Sequence, residues 1–125
     1  GVISYSPLGG GLLTGKYSTA QKPDSGRLVS NAMYAKRYGD QMYFEIAERF
    51  AAYAQESGTH PVTLAVAWVM THPAITAPII GARNMEQLRP SLDAVKVDMG
   101  PERRAKISAL SYEPPPATDR AEEKG

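Results

Sequence analysis

The chain has 125 residues, with 14 Lys+Arg against 13 Asp+Glu, a formal net charge of +1 and no cysteine. That length suits one domain, and the near-neutral balance lacks the dense basic patch expected of a nucleic-acid or membrane-surface partner. Without thiols there is neither a disulfide framework nor a thiolate metal site, which fits an intracellular, cytoplasmic protein, and no run of about 18 apolar residues offers a transmembrane helix.

The chain starts at Gly1 with no basic n-region, so no signal peptide is read. Residues 2–6, with Val2, Ile3 and Tyr5, form a β-branched and aromatic run closed by Pro7 and glycines, the pattern of a buried strand. A strand entered with no lead-in suggests a chain that begins inside a larger fold. Residues 8–15 are a glycine-rich loop, and Pro23, Asp24, Ser25 and Gly26 continue loop chemistry to about residue 30.

Gly10, Gly15 and Lys16 nearly spell the phosphate-binding loop G-x-x-x-x-G-K-[ST], but position 17 is Tyr. A P-loop also needs a helix starting at its Lys, so that the helix N-terminus faces the phosphates. Turn residues follow Lys16 instead, which leaves a P-loop nucleotide-binding protein as the weakest reading.

Residues 41–57 read as a helix, with Tyr43, Ala47, Phe50, Ala51 and Ala54 on one face and Gly58 as its stop. Thr59 is then expected to cap a second helix over residues 62–71, with Pro61 in its first turn. This helix is apolar nearly all round, which implies packing on several sides, and Pro73 ends it. Residues 75–80 read as a second strand, although Pro78 lies inside it.

A tight turn at Gly81, Ala82 and Arg83 leads to Asn84, which caps a further helix with Gln87 in a capping-box-like position. Pro90 should bend or shorten that helix. A last helix spans residues 101–110, and residues 113–125, rich in proline and then charge, are an extended or disordered tail. Strands alternating with helices argue for a parallel α/β sheet. Two strands alone leave both edges open, so the sheet needs further partners.

"YSPLGGGLLTGKY" from Tyr5, followed by "APIIGARNMEQL" from Ala77, resembles the C-terminal part of an aldo-keto reductase. The resemblance covers nearly the whole chain and implies an α/β fold that is the C-terminal part of a (β/α)8 TIM barrel. Residues 1–112 would be its last two βα units with the cofactor-binding loops. The missing N-terminal part of the same barrel would then be a partner, since such barrels have about 250 residues. It further implies an NADPH-dependent oxidoreductase reducing a small-molecule carbonyl substrate, aldehyde or ketone, by hydride transfer. Active sites of such barrels lie at the C-terminal strand ends, where both motifs fall.

By this resemblance Tyr5 stacks on the nicotinamide, its alternative being a core aromatic. Ser6, Pro7, Leu8, Gly9 and Gly10 wrap the pyrophosphate, with glycines leaving backbone N–H groups accessible. Lys16 and Arg27 match basic positions that close over the cofactor, Arg27 being equally a solvated surface residue. Arg83 matches the position beside the adenosine 2′-phosphate, which favours NADPH over NADH because a guanidinium fork suits phosphate. Gln87 contacts the adenosine end and Gly81 lets the backbone turn toward it. Where the family commonly carries an acidic residue and an Asn, this chain has Pro90 and Ser91, and Ser91 can still hydrogen-bond.

The catalytic Asp, Tyr, Lys and His of the family have no matching position here, so no catalytic residue is assigned and the isolated chain should not turn over. His60 and His72 read as surface or capping residues, and Trp68 and the methionines as core. A non-catalytic redox-sensing or regulatory NADPH-binding module of the same family is the alternative. No metal site is expected.

Overall fold

The computed structural model describes residues 1–20 and 24–113; most of the tail expected at 113–125 therefore lies outside the described residues. The element order is β1 (Ile3–Ser4), a 3-10 segment (Gly9–Thr14), α1 (Arg27–Ser30), α2 (Ala32–Tyr38), α3 (Gln41–Glu56), α4 (Pro61–Met70), β2 (Ala77–Pro78), α5 (Met85–Leu92), a 3-10 turn (Asp93–Lys96) and α6 (Pro101–Ser108). The two strands pair in parallel, Ile3 beside Ala77 and Ser4 beside Pro78. Each regular strand is only two residues long, shorter than the expected 2–6 and 75–80. Each has one neighbour among the described residues, and Pro78 has no N–H to give a second.

Helix α4 is the centre of the molecule. Val62, Thr63, Leu64, Ala65, Val66 and Ala67 are all buried, because α3, α5, β2 and both 3-10 segments pack around it. That surround explains an element with no polar face. Its N-cap is His60, not Thr59: His60 Nδ1 accepts from the Val62 N–H at 3.2 Å. With Pro61 at the first helical position, the residue before it is left to cap. Thr59 instead accepts from Arg103 Nη2 at 2.8 Å.

Helix α3 is capped by Asp40, whose carboxylate accepts from the Met42 N–H at 3.0 Å. It buries Phe44, Ala47, Phe50 and Ala54, a stripe displaced slightly from the one expected because Phe44 takes the place assigned to Tyr43. Before it, the stretch expected to be loop to about residue 30 ends in α1, and α2 follows in residues for which the sequence reading named no element. Asn31 caps α2 by accepting from the Met33 N–H at 3.0 Å, and Tyr34 and Tyr38, four residues apart, stack at 6.2 Å between ring centroids.

Helix α5 runs through Pro90 to Leu92 before tightening into the 3-10 turn. The Pro90 carbonyl accepts from Thr63 Oγ1 at 2.6 Å, which ties α5 to α4. Helix α6 is fastened to the C-terminal end of α4 by Arg104, which donates to the Trp68 carbonyl and, at 3.1 Å, to Thr71 Oγ1. Its guanidinium also lies 4.7 Å from the centroid of the Trp68 ring, and burial lowers its pKa from the ordinary arginine value. Trp68 is half-buried, its Nε1–H donating to Ser108 Oγ at 3.2 Å. Three methionines, Met33, Met42 and Met85, are exposed rather than core, whereas Met70 and Met99 are partly buried and pack against the core as expected.

Candidate functional site

Parallel pairing fixes where the two singled-out motifs go. Ser4 sits beside Pro78, so the chain leaves β1 into residues 5–16 and leaves β2 into residues 79–87 at the same edge of the sheet. Neighbouring strands are about 4.8 Å apart, so the two segments start side by side. Along each strand successive side chains face opposite ways. Ile3 and Tyr5 therefore share a face with Ala77 and Ile79, and Tyr5, at 72% exposure, presents its ring openly at that edge. Ser4 faces the other way, and its hydroxyl is buried without a hydrogen-bond partner.

The first segment folds tightly. Ser6 adopts φ 54°, a left-handed conformation rare for a side-chain-bearing residue, at a cost of about 1–2 kcal/mol. Its carbonyl accepts from the Gly9 N–H at 2.9 Å, and the Leu8 carbonyl accepts from the Gly11 N–H at 3.2 Å. The Gly9 amide, which the sequence suggested would be left accessible, is therefore engaged within the segment, as is the amide of Gly11. Gly10, at φ 68°, lies under the Tyr34 ring: a Cβ placed there would sit 2.5 Å from Tyr34 Cδ1. Leu8 packs half-buried between two apolar clusters centred on α4.

Beyond the glycines the chain is held at closely spaced points. Lys16 is exposed and makes no ion pair among the described residues. Tyr17 is buried, with its ring 6.1 Å from that of Phe44 and its hydroxyl against Gly26. Thr19 donates twice to Glu48 Oε1, from its backbone N–H at 2.6 Å and its hydroxyl at 2.8 Å. The backbone of Arg27 opens α1.

In the second segment, Gly81 and Arg83 are exposed, and the Arg83 side chain makes no ion pair among the described residues. The backbone at residue 81 is not in the left-handed region, so the turn there does not depend on glycine for its conformation. Asn84 Oδ1 accepts from the Gln87 N–H at 2.9 Å as expected. Gln87 Oε1 reaches back one residue further than a capping box, accepting from the Arg83 N–H at 3.1 Å. This reciprocal pair fixes the backbone of Arg83 and leaves its guanidinium outward. Ser91 is only 5% exposed; it lies within α5 beyond Gln87, shielded from a ligand in solvent.

The two histidines serve as helix and turn caps: His72 Nδ1 accepts from the Ala74 N–H at 3.1 Å, as His60 does for α4. Among the described residues no group of three or more His, Asp or Glu is placed to hold a metal ion, and no helix is long and apolar enough to cross a membrane. An open depression of about 450 Å³, lined by Tyr53, Asp98, Gly100, Glu102, Arg103 and Lys106, lies at α6, away from both strand-end segments. The sequence reading missed the aromatic cover of Tyr34 and Tyr38 and the Glu48–Thr19 clip. The cover had a signal in two tyrosines four apart between Asn31 and Gly39; the clip had none.

Parallel strands joined through helices, with glycine-bearing segments leaving both at one edge, define an α/β protein whose strand ends carry the candidate site. The aldo/keto reductase family model matches residues 1–111, and the chain belongs to that family. It is 39% identical over 103 residues to the uncharacterized oxidoreductase YrpG of Bacillus subtilis, covering 82% of this chain and 29% of that protein. Over 102 residues it is 34% identical to an aldo-keto reductase of Babesia bovis, covering 79% of this chain and 35% of that one. A putative voltage-gated potassium channel subunit beta of Schizosaccharomyces pombe is 30% identical over 100 residues, 77% of this chain and 29% of that protein. The chain thus spans about a third of the length of these relatives.

Proposed function

We propose that the chain is the cofactor-binding part of an NADPH-dependent oxidoreductase that reduces an aldehyde or ketone to an alcohol. In this reading residues 1–112 are the last two βα units of a (β/α)8 barrel. The observation that carries it is the parallel register of Ile3 with Ala77 and Ser4 with Pro78, which sends both family motifs from one sheet edge. The open edges of the two-strand sheet and the exposed apolar side chains of Ile3 and Ile79 are consistent with further barrel strands as partners, from the N-terminal part of the same barrel.

The residues fit a dinucleotide in part. An exposed Tyr5 ring can stack on a nicotinamide, and the outward cations Lys16 and Arg83 suit phosphate oxygens. NADPH, when bound, supplies the hydride. The Gly81 backbone and the Gln87 side chain would frame the adenosine end, with Ser91 contributing only if α5 opens. Ser6, Pro7, Leu8, Gly9 and Gly10 would shape the pyrophosphate bend by their backbone path. The engaged Gly9 and Gly11 amides shift the charge-binding role to Lys16 and Arg83. Nothing in the chain matches the family's catalytic Asp, Tyr, Lys and His, so it should bind nucleotide without turnover. The similarity to a channel subunit favours, as a second reading, a regulatory NADPH-binding role.

Arg83→Met tests the assignment. Loss of a phosphate–guanidinium contact should weaken NADPH binding to the chain by about tenfold to a hundredfold while leaving NADH binding nearly unchanged. Equal losses for both nucleotides, or none, would contradict the 2′-phosphate role.

A further inference from the structure

Lys16 is an outward-facing cation on a backbone that α3 grips from below. Phe44 and Glu48 are four residues apart and so lie on one face of α3. Phe44 holds the Tyr17 ring at 6.1 Å, and Glu48 takes both Thr19 donors on a single carboxylate oxygen, at 2.6 and 2.8 Å. The residues directly after Lys16 are therefore anchored by a buried ring and by a charge-assisted pair of hydrogen bonds, the stronger kind. Lys16 itself is exposed and takes part in no ion pair among the described residues. Glu48, though acidic, is used on Thr19 and does not neutralise it. A surface lysine that only solvates the chain gains nothing from so fixed a tether, whereas a cation that must meet a phosphate does, because the ordering cost is met before the ligand arrives.

We infer that Glu48 is a positioning residue for Lys16: by clipping Thr19 it holds the lysine where it meets the pyrophosphate of the bound dinucleotide. This rests on the phosphate role of the strand-end segments proposed above. Glu48 touches no part of the nucleotide; it acts through the backbone of residues 16–19.

NADPH titration of the chain and of its Glu48→Ala, Glu48→Gln, Lys16→Met and Glu48→Ala/Lys16→Met variants, with amide hydrogen exchange followed at Lys16 to Thr19, tests this. Glu48→Ala should speed exchange at Thr19 without nucleotide, since that amide loses its acceptor. It should weaken NADPH binding about three- to tenfold, and Lys16→Met about tenfold, the scale of one charge-assisted hydrogen bond. Glu48→Gln, which keeps an acceptor oxygen, should retain most of the affinity. On the Lys16→Met background Glu48→Ala should cost nothing further.

An equal loss on that background would show that Glu48 acts through stability alone and would overturn the inference. Unchanged exchange at Thr19 would overturn the clip whatever the nucleotide does. Undiminished affinity in Lys16→Met, with Arg83→Met still discriminating NADPH from NADH, would overturn the Lys16 role while leaving the wider reading standing. No NADPH binding by the unsubstituted chain would overturn both.

Discussion

Replacing Gly10 by alanine should destabilise the chain well beyond the cost of its backbone conformation. Gly10 has φ 68°, and a Cβ there would lie 2.5 Å from Tyr34 Cδ1 and 2.9 Å from Cε1. A left-handed alanine costs about 1–2 kcal/mol by itself. The overlap cannot be absorbed in place, because carbon atoms make contact at about 3.5–4.0 Å, so Tyr34 must withdraw from its packing against the cluster of Leu12, Tyr17, Leu28, Phe44 and Ala47. Overpacking of that kind adds about 1–3 kcal/mol.

Gly58 provides the control: its φ is 66°, and nothing lies within 4 Å of a Cβ built there. Gly58→Ala should thus cost only the backbone share, about 1–2 kcal/mol, and Gly10→Ala about 2–5 kcal/mol. Urea unfolding followed by far-UV circular dichroism gives both, with equal m-values confirming that the unfolded states match. The excess should disappear when Gly10→Ala is measured on a Tyr34→Ala background. Equal destabilisation by Gly10→Ala and Gly58→Ala would refute the reasoning, because Tyr34 would then not cover the glycine.

Other substitutions separate interactions that hold the frame from those that do not. Arg104→Ala removes hydrogen bonds to the Trp68 carbonyl and Thr71 Oγ1 together with the contact over the indole; it should cost about 2–3 kcal/mol, with a change in Trp68 fluorescence. Arg104→Lys should recover less than half, since an ammonium cannot reproduce the planar fork, and full recovery would contradict that account. Ser4→Ala removes a buried hydroxyl with no partner and should leave thermal stability unchanged or raise it by up to about 1 kcal/mol; a loss above about 1 kcal/mol would mean that the hydroxyl is satisfied.

The helices were legible in the sequence where local chemistry decides them. Gly58, Pro61 and Asn84 mark boundaries that the structure keeps, and the nearly unbroken apolar run of α4 foretold an element enclosed on several sides. The Thr59 cap failed because proline at the first helical position gives the cap to the residue just before it, His60. Pro90 was expected to bend or shorten α5; the helix continues two residues past it before tightening into the 3-10 turn, with Thr63 supplying a hydrogen bond to the Pro90 carbonyl from another element. Tertiary partners of that sort leave no local trace.

The same limit applies to the candidate site. Its two strand-end motifs were visible as glycine and arginine patterns, and the parallel register brings them to one edge. What spacing could not reveal was how the first segment uses its own amides, with Gly9 bonded to Ser6 and Gly11 to Leu8. Nor could it show that Tyr34 lies on Gly10, since that contact depends on α2 folding back over 24 residues of chain. Ser91 looked available by its chemistry, but the helix face it occupies buries it.

Amide hydrogen exchange of the chain with and without NADPH bears most directly on the claim that both strand-end segments serve one dinucleotide. Protection should rise together in residues 5–16 and residues 79–87, at the same nucleotide concentration, while α6 stays unchanged. Protection confined to one segment, or a response centred on the α6 depression lined by Tyr53 and Arg103, would contradict it.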